Sequence, residues 1–314
     1  MAKKRLLTGL QPSGRLHIGN YFGALKPFTD IADEYESFLM IADYHSLTSK
    51  GSPEELRENI FEIVRAYLAI GVDPEKVTIF QQSAVQEHTE LAWIFDCLVT
   101  VPFLMQGHAY KDKTARGLEA NAGLFTYPML QAADILLYDA DVVPVGEDQR
   151  QHIEYAREAA VKFRNAYGDV FKEPQELILK NVGVVPGTDG QKMSKSYKNT
   201  IPLFGTSDEI RKAVMSIVTD SSSDIPTNVH AIHHLYRTEE EIKALYTEHA
   251  GQYKKLKEAL IEDIEAHIAP MREKYESISN GDVIEVLKKG ADKARTQAAV
   301  KMKEVREKVG VALY

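Results

Sequence analysis

Three short apolar runs alternate with helical segments over the first part of the chain. The runs are "RLLTGL" at 5–10, "SFLMIADYH" at 37–45 and "VTIFQQS" at 77–83. Between them, residues from about 17 to 34 and from 53 to 69 have apolar side chains at helical spacing. Strands that alternate with helices of this length pack as a parallel sheet covered by helices. The sequence therefore predicts a doubly wound α/β domain.

The segment after residue 50 has clear signals for the start and end of a helix. Ser52 precedes Pro53 as an N-cap, Glu55 occupies the third helical position, and Gly71 ends the pattern shortly before Pro74. These signals predict an amphipathic helix that packs on the sheet.

The pattern changes past residue 101, where a polar, lysine-bearing stretch indicates an insertion. Residues from 127 to 163 then predict a helix, a short strand at Val142–Val145 and another helix. Beyond Pro202 no strand is indicated, and the segments near 207–218, 238–247, 252–275 and 282–309 predict helices. We therefore predict a Rossmann-like parallel-sheet catalytic domain at 1–205, with a connective insertion at about 102–145, followed by an all-helical C-terminal domain at 206–314.

Bulk properties place limits on the class of protein. No apolar run among the 314 residues approaches the roughly 20 needed to cross a bilayer, and the first 14 residues lack the apolar core of a signal peptide. Cys97 is the single cysteine, which excludes an intramolecular disulfide framework and any four-cysteine metal site. A cytoplasmic location is predicted. The net charge of −8 argues against indiscriminate binding of nucleic acid.

The stretch "QPSGRLHIGN", Gln11 to Asn20, follows the first strand, where a nucleotide-binding fingerprint is expected. Neither G-x-G-x-x-G nor G-x-x-x-x-G-K-[ST] occurs in the chain. A helix that begins at this turn would offer free amides and a positive dipole end to an anion. Gly19 allows a ligand close to the backbone, and His17 and Asn20 lie one helical turn apart, as donors to a phosphate chain or ribose.

A second candidate segment is "KMSKS", Lys192 to Ser196, in a glycine-bearing loop. Two lysines three residues apart, interleaved with serine hydroxyls, suit a cationic clamp on a polyphosphate. Such a loop alone is usually a solvated surface loop. Its occurrence together with the strand–turn–HIGN unit favours the binding role.

HIGN after the first strand, with KMSKS farther along an α/β scaffold, resembles the class I aminoacyl-tRNA synthetases, which bind ATP with an H-I-G-H-type motif and a KMSKS loop. Asn20 stands where the common form has a second histidine. The segments "GLQPSGRLHIGNYFGAL", "TYPMLQAADILLYDADVVPVGEDQRQHIE" and "PGTDGQKMSKS" are similar to bacterial-type tryptophanyl-tRNA synthetases. The resemblance covers most of residues 5–200 in order and continues more loosely beyond.

The tyrosyl-tRNA synthetases are the alternative, because their pattern Tyr-x-x-x-Gln-x-x-Asp is also met, by Tyr127, Gln131 and Asp134. Leu7 favours tryptophan, since the tyrosine family commonly has a tyrosine in this strand. Indole has one N–H donor, which Asp134 as a carboxylate would accept. The apolar slot around the ring would come from Leu7, Ile135, Val143 and Val145. A synthetase-like small-molecule nucleotidyltransferase is a more distant alternative, which would lack the helical domain.

The resemblance implies roles for the remaining motif residues. Tyr127 and Gln149 would orient the amino-acid head group, with Gln131 beside them. Lys192, Lys195, His17 and Asn20 would be the catalytic residues, acting on the triphosphate, and the backbone near Val184 and Val185 would touch adenine. The ATP contacts would be Gln11, Pro12, Ser13, Gly19, Asn20, Gly146, Glu147, Asp148, Lys192, Met193, Ser194, Lys195 and Ser196.

The resemblance also implies partners and cofactors. These are ATP as co-substrate, Mg²⁺, L-tryptophan, tRNA(Trp) and a second subunit in a homodimer joined through the insertion. Lys111, Lys113 and Arg116 would meet the tRNA acceptor arm, with an ordinary solvated loop as an equal alternative. No membrane partner, zinc or iron–sulfur cluster is expected, and "HAIHHLY" at 230–236 reads as a loop and helix start. Trp93 and Cys97 are interpreted as core or subunit-contact residues.

Overall fold

The structure, a computed structural model, describes residues 3–49, 51–107, 110–111, 115, 120–146, 150–178, 184–219 and 225–313. Within these ranges five strands form one parallel sheet in the order β3-β2-β1-β4-β5. The predicted α/β class with a parallel sheet and a helical C-terminal region is confirmed. The strands are β1 (Arg5–Leu10), β2 (Glu36–Ile41), β3 (Val77–Gln81), β4 (Val142–Val145) and β5 (Gln175–Ile178).

Helices cover the sheet and fill the second half of the chain. The long C-terminal ones lie where the apolar spacing predicted them. Their bounds are α1 (Ile18–Asn20), α2 (Lys26–Ile31), α3 (Asp43–Ser46), α4 (Pro53–Ala69), α5 (Glu87–Asp96), α6 (Val101–Leu104), α7 (Ala122–Leu136), α8 (Arg150–Tyr167), α9 (Ser207–Met215), α10 (Thr227–His233), α11 (Glu239–Glu248), α12 (Tyr253–Ser277) and α13 (Asn280–Val309).

Helix α4 forms as its sequence signals predict. The Ser52 side chain accepts a hydrogen bond from the amide of Glu55, which satisfies one of the unpaired donors at the helix start. Ile63, Val64 and Tyr67 point inward and are buried. Gly71 has φ +107, a backbone conformation that favours glycine, and it ends the helical segment.

Strand β5 was not predicted, and part of the predicted insertion belongs to the sheet. β5 is an edge strand of four residues that lacks a buried apolar face, so it has no strand signature. β4, at the end of the range 102–145, pairs directly with β1, at Leu6 and Val142. β4 is therefore an interior strand of the sheet, between β1 and β5. Its place in the sheet differs from its place in the chain.

The strand order places a crevice at one defined position. β1 has β2 on one side and β4 on the other, so the connections diverge between β1 and β4. In open α/β sheets, ligands bind at such a switch point, beyond the carboxyl ends of the strands. The segments that follow β1 and β4 are therefore the first place to seek a site.

The last helix, α13, packs on the sheet as well as on other helices. A Cβ atom added at Gly290 would lie 1.8 Å from the carbonyl oxygen of Ile79 in β3, so only glycine permits this contact. Ala291, Ala294 and Ala298 are buried against the sheet. The division at residue 205, based on element type, stays a prediction, since the final helix contacts both parts.

Trp93 and Cys97 are both exposed, with 69% of Trp93 accessible, so the interpretation as core residues is wrong. Their role in a subunit contact stays a prediction. Within the described ranges, no helix combines the length and apolar character that crossing a membrane requires.

Candidate active site

A cavity of about 410 Å³ opens at the carboxyl ends of β1 and β4, and we name it the strand-end cavity. The apolar and polar residues predicted to surround an amino acid line it together. Gln149 lies outside the described residues. Two residues predicted to contact ATP, Gln11 and Gly146, line the same cavity. The residues predicted to surround the amino acid that line it are Leu7, Tyr127, Gln131, Asp134, Ile135, Val143 and Val145.

Asp134, on α7, is the buried charge of this cavity, with 1% of the residue exposed. His88 Nδ1 lies 2.6 Å from its Oδ1, and His45 Nε2 lies 2.8 Å from its Oδ2. The side-chain amide of Gln82 donates to both oxygens, at 2.8 and 3.0 Å. Burial alone would raise the pKa of Asp134, but hydrogen bonds and charge from His45 and His88 outweigh it and lower the pKa to about 2. The group is therefore a carboxylate at neutral pH.

The contacts of Asp134 limit how it can receive a ligand. A carboxylate has about four acceptor positions, and the three neighbours make four contacts to it. Gln82 and His88 are fully buried, whereas His45 is partly exposed and lines the cavity. An indole N–H would therefore take the position on Oδ2 that His45 holds.

Sequence reasoning missed these partners of Asp134. His45 and Gln82 follow β2 and β3 closely, at the same sheet edge as Asp134, and that placement was an available signal. His88 had no such signal. It lies in α5, and its Nε2 is 2.8 Å from the hydroxyl of Tyr138, so tertiary packing alone brings it to the carboxylate.

Tyr127 closes another side of the strand-end cavity. Its hydroxyl lies 3.0 Å from Nε2 of His152, a residue of α8 that also lines the cavity. Burial raises the pKa of Tyr127, so the hydroxyl stays protonated and able to donate. Tyr127 is thus placed to orient a polar group of a ligand.

A second cavity, of about 630 Å³, lies between the HIGN segment (His17–Asn20) and the KMSKS loop (Lys192–Ser196); we name it the loop cavity. Gly19 lies at this junction, because an added Cβ would stand 2.9 Å from His17 Nδ1 and 3.3 Å from Met193 Cβ. Pro12 is buried at the preceding turn, and Glu147 and Asp148 lie outside the described residues. The residues that line the loop cavity are Ser13, His17, Asn20, Lys192, Met193, Ser194, Lys195, Ser196 and Tyr197.

His17 and Asn20 cap each other at the start of α1. The amide of Asn20 donates to His17 Nδ1 at 3.2 Å, and the amide of His17 donates to Asn20 Oδ1 at 3.1 Å. Burial and the charge of Lys195 lower the pKa of His17 to about 4, so the ring is neutral. Because Nδ1 accepts, Nε2 carries the proton and can donate to a phosphate.

The expectation of free amides at this helix start is wrong for two positions. The amide of Ile18 donates to the carbonyl of Ile201 at 3.0 Å, and the amide of Asn20 is used by His17. The segment 201–203 pairs with 16–18, and this pairing uses the amide of Ile18. The groups left to face the loop cavity include the side chains of His17, Asn20 and the two lysines.

Lys195 links the KMSKS loop to the turn Gln11–Gly14. Its Nζ donates to the main-chain carbonyls of Ser13 and Gly14, the latter at 2.7 Å. Gln11 lines the strand-end cavity and Ser13 lines the loop cavity, so this turn separates them. The two cavities therefore lie on either side of this turn, and Lys195 contacts the turn.

The backbone near Val184 and Val185 has a different immediate role. The carbonyl of Val185 accepts a hydrogen bond from the amide of Met193 at 2.9 Å, which joins the segment to the KMSKS loop. The Val184 side chain is exposed. Lys111 is also exposed, and Lys113 and Arg116 lie outside the described residues.

The depressed pKa of His17 predicts a pH dependence of stability. Between pH 6.5 and about 4 the unfolded chain binds a proton at this ring while the folded chain does not. Stability should therefore fall as the pH drops through this window, by roughly 1–3 kcal/mol for this group. Urea unfolding of wild type and His17→Gln at pH 4.5, 5.5, 6.5 and 7.5 measures it. The variant should lose less stability on acidification, and equal losses would contradict the assignment.

The order β3-β2-β1-β4-β5, a cavity at the switch point and a two-lysine loop beside HIGN agree with the class I synthetase fold that the motifs resemble. The family model described as tRNA synthetases class I (W and Y) matches residues 2–294. The chain belongs to this family.

Individual relatives agree with this placement. A tryptophan–tRNA ligase of Fusobacterium nucleatum is 50% identical over an alignment 319 positions long, which covers 98% of each chain. The crystal structure of tryptophanyl-tRNA synthetase from Campylobacter jejuni, complexed with ADP and tryptophan, has a TM-score of 0.92 at 43% identity and covers 98% of this chain and 99% of that one. A tyrosyl-tRNA synthetase from Archaeoglobus fulgidus has a TM-score of 0.67 at 20% identity, with coverage of 88% and 90%. That last likeness concerns the fold alone.

Proposed function

We propose that the chain joins L-tryptophan to tRNA(Trp) at the expense of ATP, through a tryptophanyl-adenylate, with release of AMP and pyrophosphate. The observation that carries the proposal is the ionised Asp134 at the strand-end cavity, which adjoins the loop cavity across one turn. Identity of 40–50% to tryptophan–tRNA ligases over almost the whole chain supports it.

The strand-end cavity is the proposed tryptophan site. Asp134 accepts the indole N–H, while Leu7, Ile135, Val143 and Val145 contact the ring. Tyr127, with Gln131 and Gln149, holds the amino and carboxylate groups. The pocket prefers a ligand with a hydrogen-bond donor such as the indole N–H at that end, because an ionised carboxylate can only accept.

The loop cavity is the proposed triphosphate site. The tryptophan carboxylate attacks the α-phosphate in line, so an oxygen–phosphorus bond forms as the bond to pyrophosphate breaks. Lys192, Lys195, the His17 Nε2–H and the Asn20 amide stabilise the charge on the phosphates. The remaining proposed ATP contacts are Gln11, Pro12, Ser13, Gly19, Gly146, Glu147, Asp148, Met193, Ser194 and Ser196.

Mg²⁺ enters the proposal with the nucleotide. Across the part of the chain that the structure describes, no group of three or more His, Cys, Asp and Glu side chains is placed to hold a metal ion. The phosphate oxygens of ATP would therefore supply most of its ligands, and Mg²⁺ would supply charge neutralisation when bound.

Pyrophosphate exchange, run in parallel with tryptophan and with tyrosine, tests the function. Label should pass from pyrophosphate into ATP with tryptophan, and the tyrosine rate should be lower by a factor of at least about 10³. Exchange with tyrosine alone would assign the alternative within the family. Exchange with neither amino acid would exclude a synthetase, provided that the protein is folded.

A homodimer is the proposed assembly. Trp93, Val101 and Met105 are large apolar side chains with 50–69% of their surface exposed, close together in the chain and beside the predicted insertion. A contiguous exposed apolar patch marks a protein–protein contact, and we propose that these three side chains belong to one. For the tRNA, we propose that the helical region at 206–314 binds the anticodon. Lys111, Lys113 and Arg116 are proposed to contact the acceptor arm. The proposed location is the cytoplasm.

Replacing Trp93 with glutamate should dissociate this dimer, because a carboxylate would be buried without a partner. Light scattering after size exclusion should give twice 35.3 kDa for wild type and 35.3 kDa for Trp93→Glu. The control is Leu313→Glu, which places the same charge at a position that is 86% exposed near the end of the chain. A wild-type mass of 35.3 kDa would contradict the proposal.

A further inference from the structure

Asn199 lies three residues beyond the KMSKS loop and is almost completely buried, with 2% of its surface exposed. A buried side-chain amide needs partners for two donor hydrogens and for its oxygen. Oδ1 of Asn199 accepts from the amide of Ser194 at 2.8 Å, and Nδ2 donates to the carbonyl of Lys192 at 3.2 Å. One side chain therefore bonds to the backbone on both sides of Met193.

The second donor hydrogen of Asn199 joins the loop to the turn that precedes it. Nδ2 lies 2.7 Å from Oδ1 of Asp189, which also accepts from the amide of Gln191 at 3.0 Å. A Cβ added at Gly187 would lie 2.3 Å from Cγ of Asn199, so this turn packs directly on the amide. The main-chain carbonyl of Asn199 accepts from the amide of Thr188 at 2.9 Å.

The chain beyond Asn199 is fixed to the start of the HIGN segment. The carbonyl of Ile201 accepts from the amide of Ile18, and the amide of Leu203 donates to the carbonyl of Leu16, both at 3.0 Å. Asn199 therefore stands between an anchored strand-like segment and the loop that carries both lysines. Its contacts determine where that loop lies relative to His17 and Asn20.

We propose that Asn199, paired with Asp189, is a positioning residue that holds Lys192 and Lys195 over the loop cavity. The proposal rests on the proposed function, in which those lysines act on the triphosphate. An aspartate at position 199 keeps the shape and can still accept from Ser194, but it cannot donate to Lys192 or Asp189. Two facing acceptors would push the loop away, and a displacement near 1 Å of a reacting group can reduce the rate about 10²-fold.

The test compares Asn199→Asp with wild type in tryptophan-dependent pyrophosphate exchange. We expect kcat to fall about 10–100-fold, while the Kd for tryptophan, measured by calorimetry, changes less than about twofold. The control is Asn280→Asp, the same change at an exposed position on α13. A general loss of structure would alter tryptophan binding and the thermal midpoint together with kcat.

The double variant Asn199→Asp with Asp189→Asn tests whether the contact between the two side chains is required, rather than either side chain alone. The amide introduced at 189 can donate to the carboxylate introduced at 199, so the contact is restored in reverse. We expect kcat at least about threefold above the Asn199→Asp single variant. Three results would each overturn the proposal. They are unchanged kcat in Asn199→Asp, a parallel loss of tryptophan affinity in that variant, and no gain of kcat in the double variant. An inactive wild type would instead overturn the proposed function.

Discussion

Replacing Lys195 with alanine should lower kcat for tryptophan-dependent pyrophosphate exchange by about 10²–10³-fold, the loss seen when one preorganised donor to a transition-state charge is removed. Lys195 lies at the turn between the two cavities and donates to the carbonyls of Ser13 and Gly14. The tryptophan carboxylate and the α-phosphate would meet at this turn. We therefore expect its positive charge to stabilise the transition state more than either bound substrate.

Tryptophan affinity should persist in Lys195→Ala, since Lys195 does not line the strand-end cavity. Stopped-flow or filter exchange assays give kcat, and calorimetry gives the Kd for tryptophan. The control is Lys303→Ala, which removes an exposed lysine of α13. Exchange at the wild-type rate in Lys195→Ala would refute the role of the KMSKS loop.

Replacing Asp134 with asparagine should reduce kcat/KM for tryptophan about 10³-fold or more, because the acceptor for the indole N–H is replaced in part by a donor. The change also places an amide among the donors of His45, His88 and Gln82. At least one buried donor then lacks an acceptor, which costs roughly 1–3 kcal/mol of unfolding free energy. Exchange kinetics and urea unfolding measure the two effects.

The control for Asp134→Asn is Asp141→Asn, at the amino end of β4 and away from both cavities. Asp141 accepts from the amide of Arg5 at 2.7 Å and pairs with Lys172, so its loss should lower stability. It should leave kcat/KM for tryptophan within about threefold of wild type. Equal kinetic effects in the two variants would assign both to a general loss of structure.

Most of the fold follows from local sequence patterns. The apolar runs of β1, β2 and β3 and the cap of α4 are determined within a few residues, so their positions could be predicted. Strand β5 could not, because an exposed edge strand of four residues carries little apolar pattern. The contact of α13 with β3 could not either, since it depends on Gly290 meeting the backbone of Ile79 across the fold.

In the candidate site, too, some features could be predicted from local sequence and others could not. Each of the two motifs, HIGN with His17 and Asn20 and KMSKS with Lys192 and Lys195, is contiguous in sequence, and their occurrence together indicates phosphate binding. The expectation of free amides at HIGN was wrong, because segment 201–203 uses the amide of Ile18. That pairing joins positions far apart in the chain, which no local pattern reports.

The sequence by itself indicated the class of chemistry, since a turn with HIGN and a loop with two lysines on one α/β scaffold suit a triphosphate once the fold brings them together. Only the tertiary structure determined that the Asp134 side chain is ionised although it is buried. His45, His88 and Gln82 reach its carboxylate from three separate segments, and their hydrogen bonds keep it ionised in a buried site. The tertiary structure also decided that Asn199 supports the lysines. The physical reason is the same for both: the charge and position of a buried group depend on the partners that surround it in space.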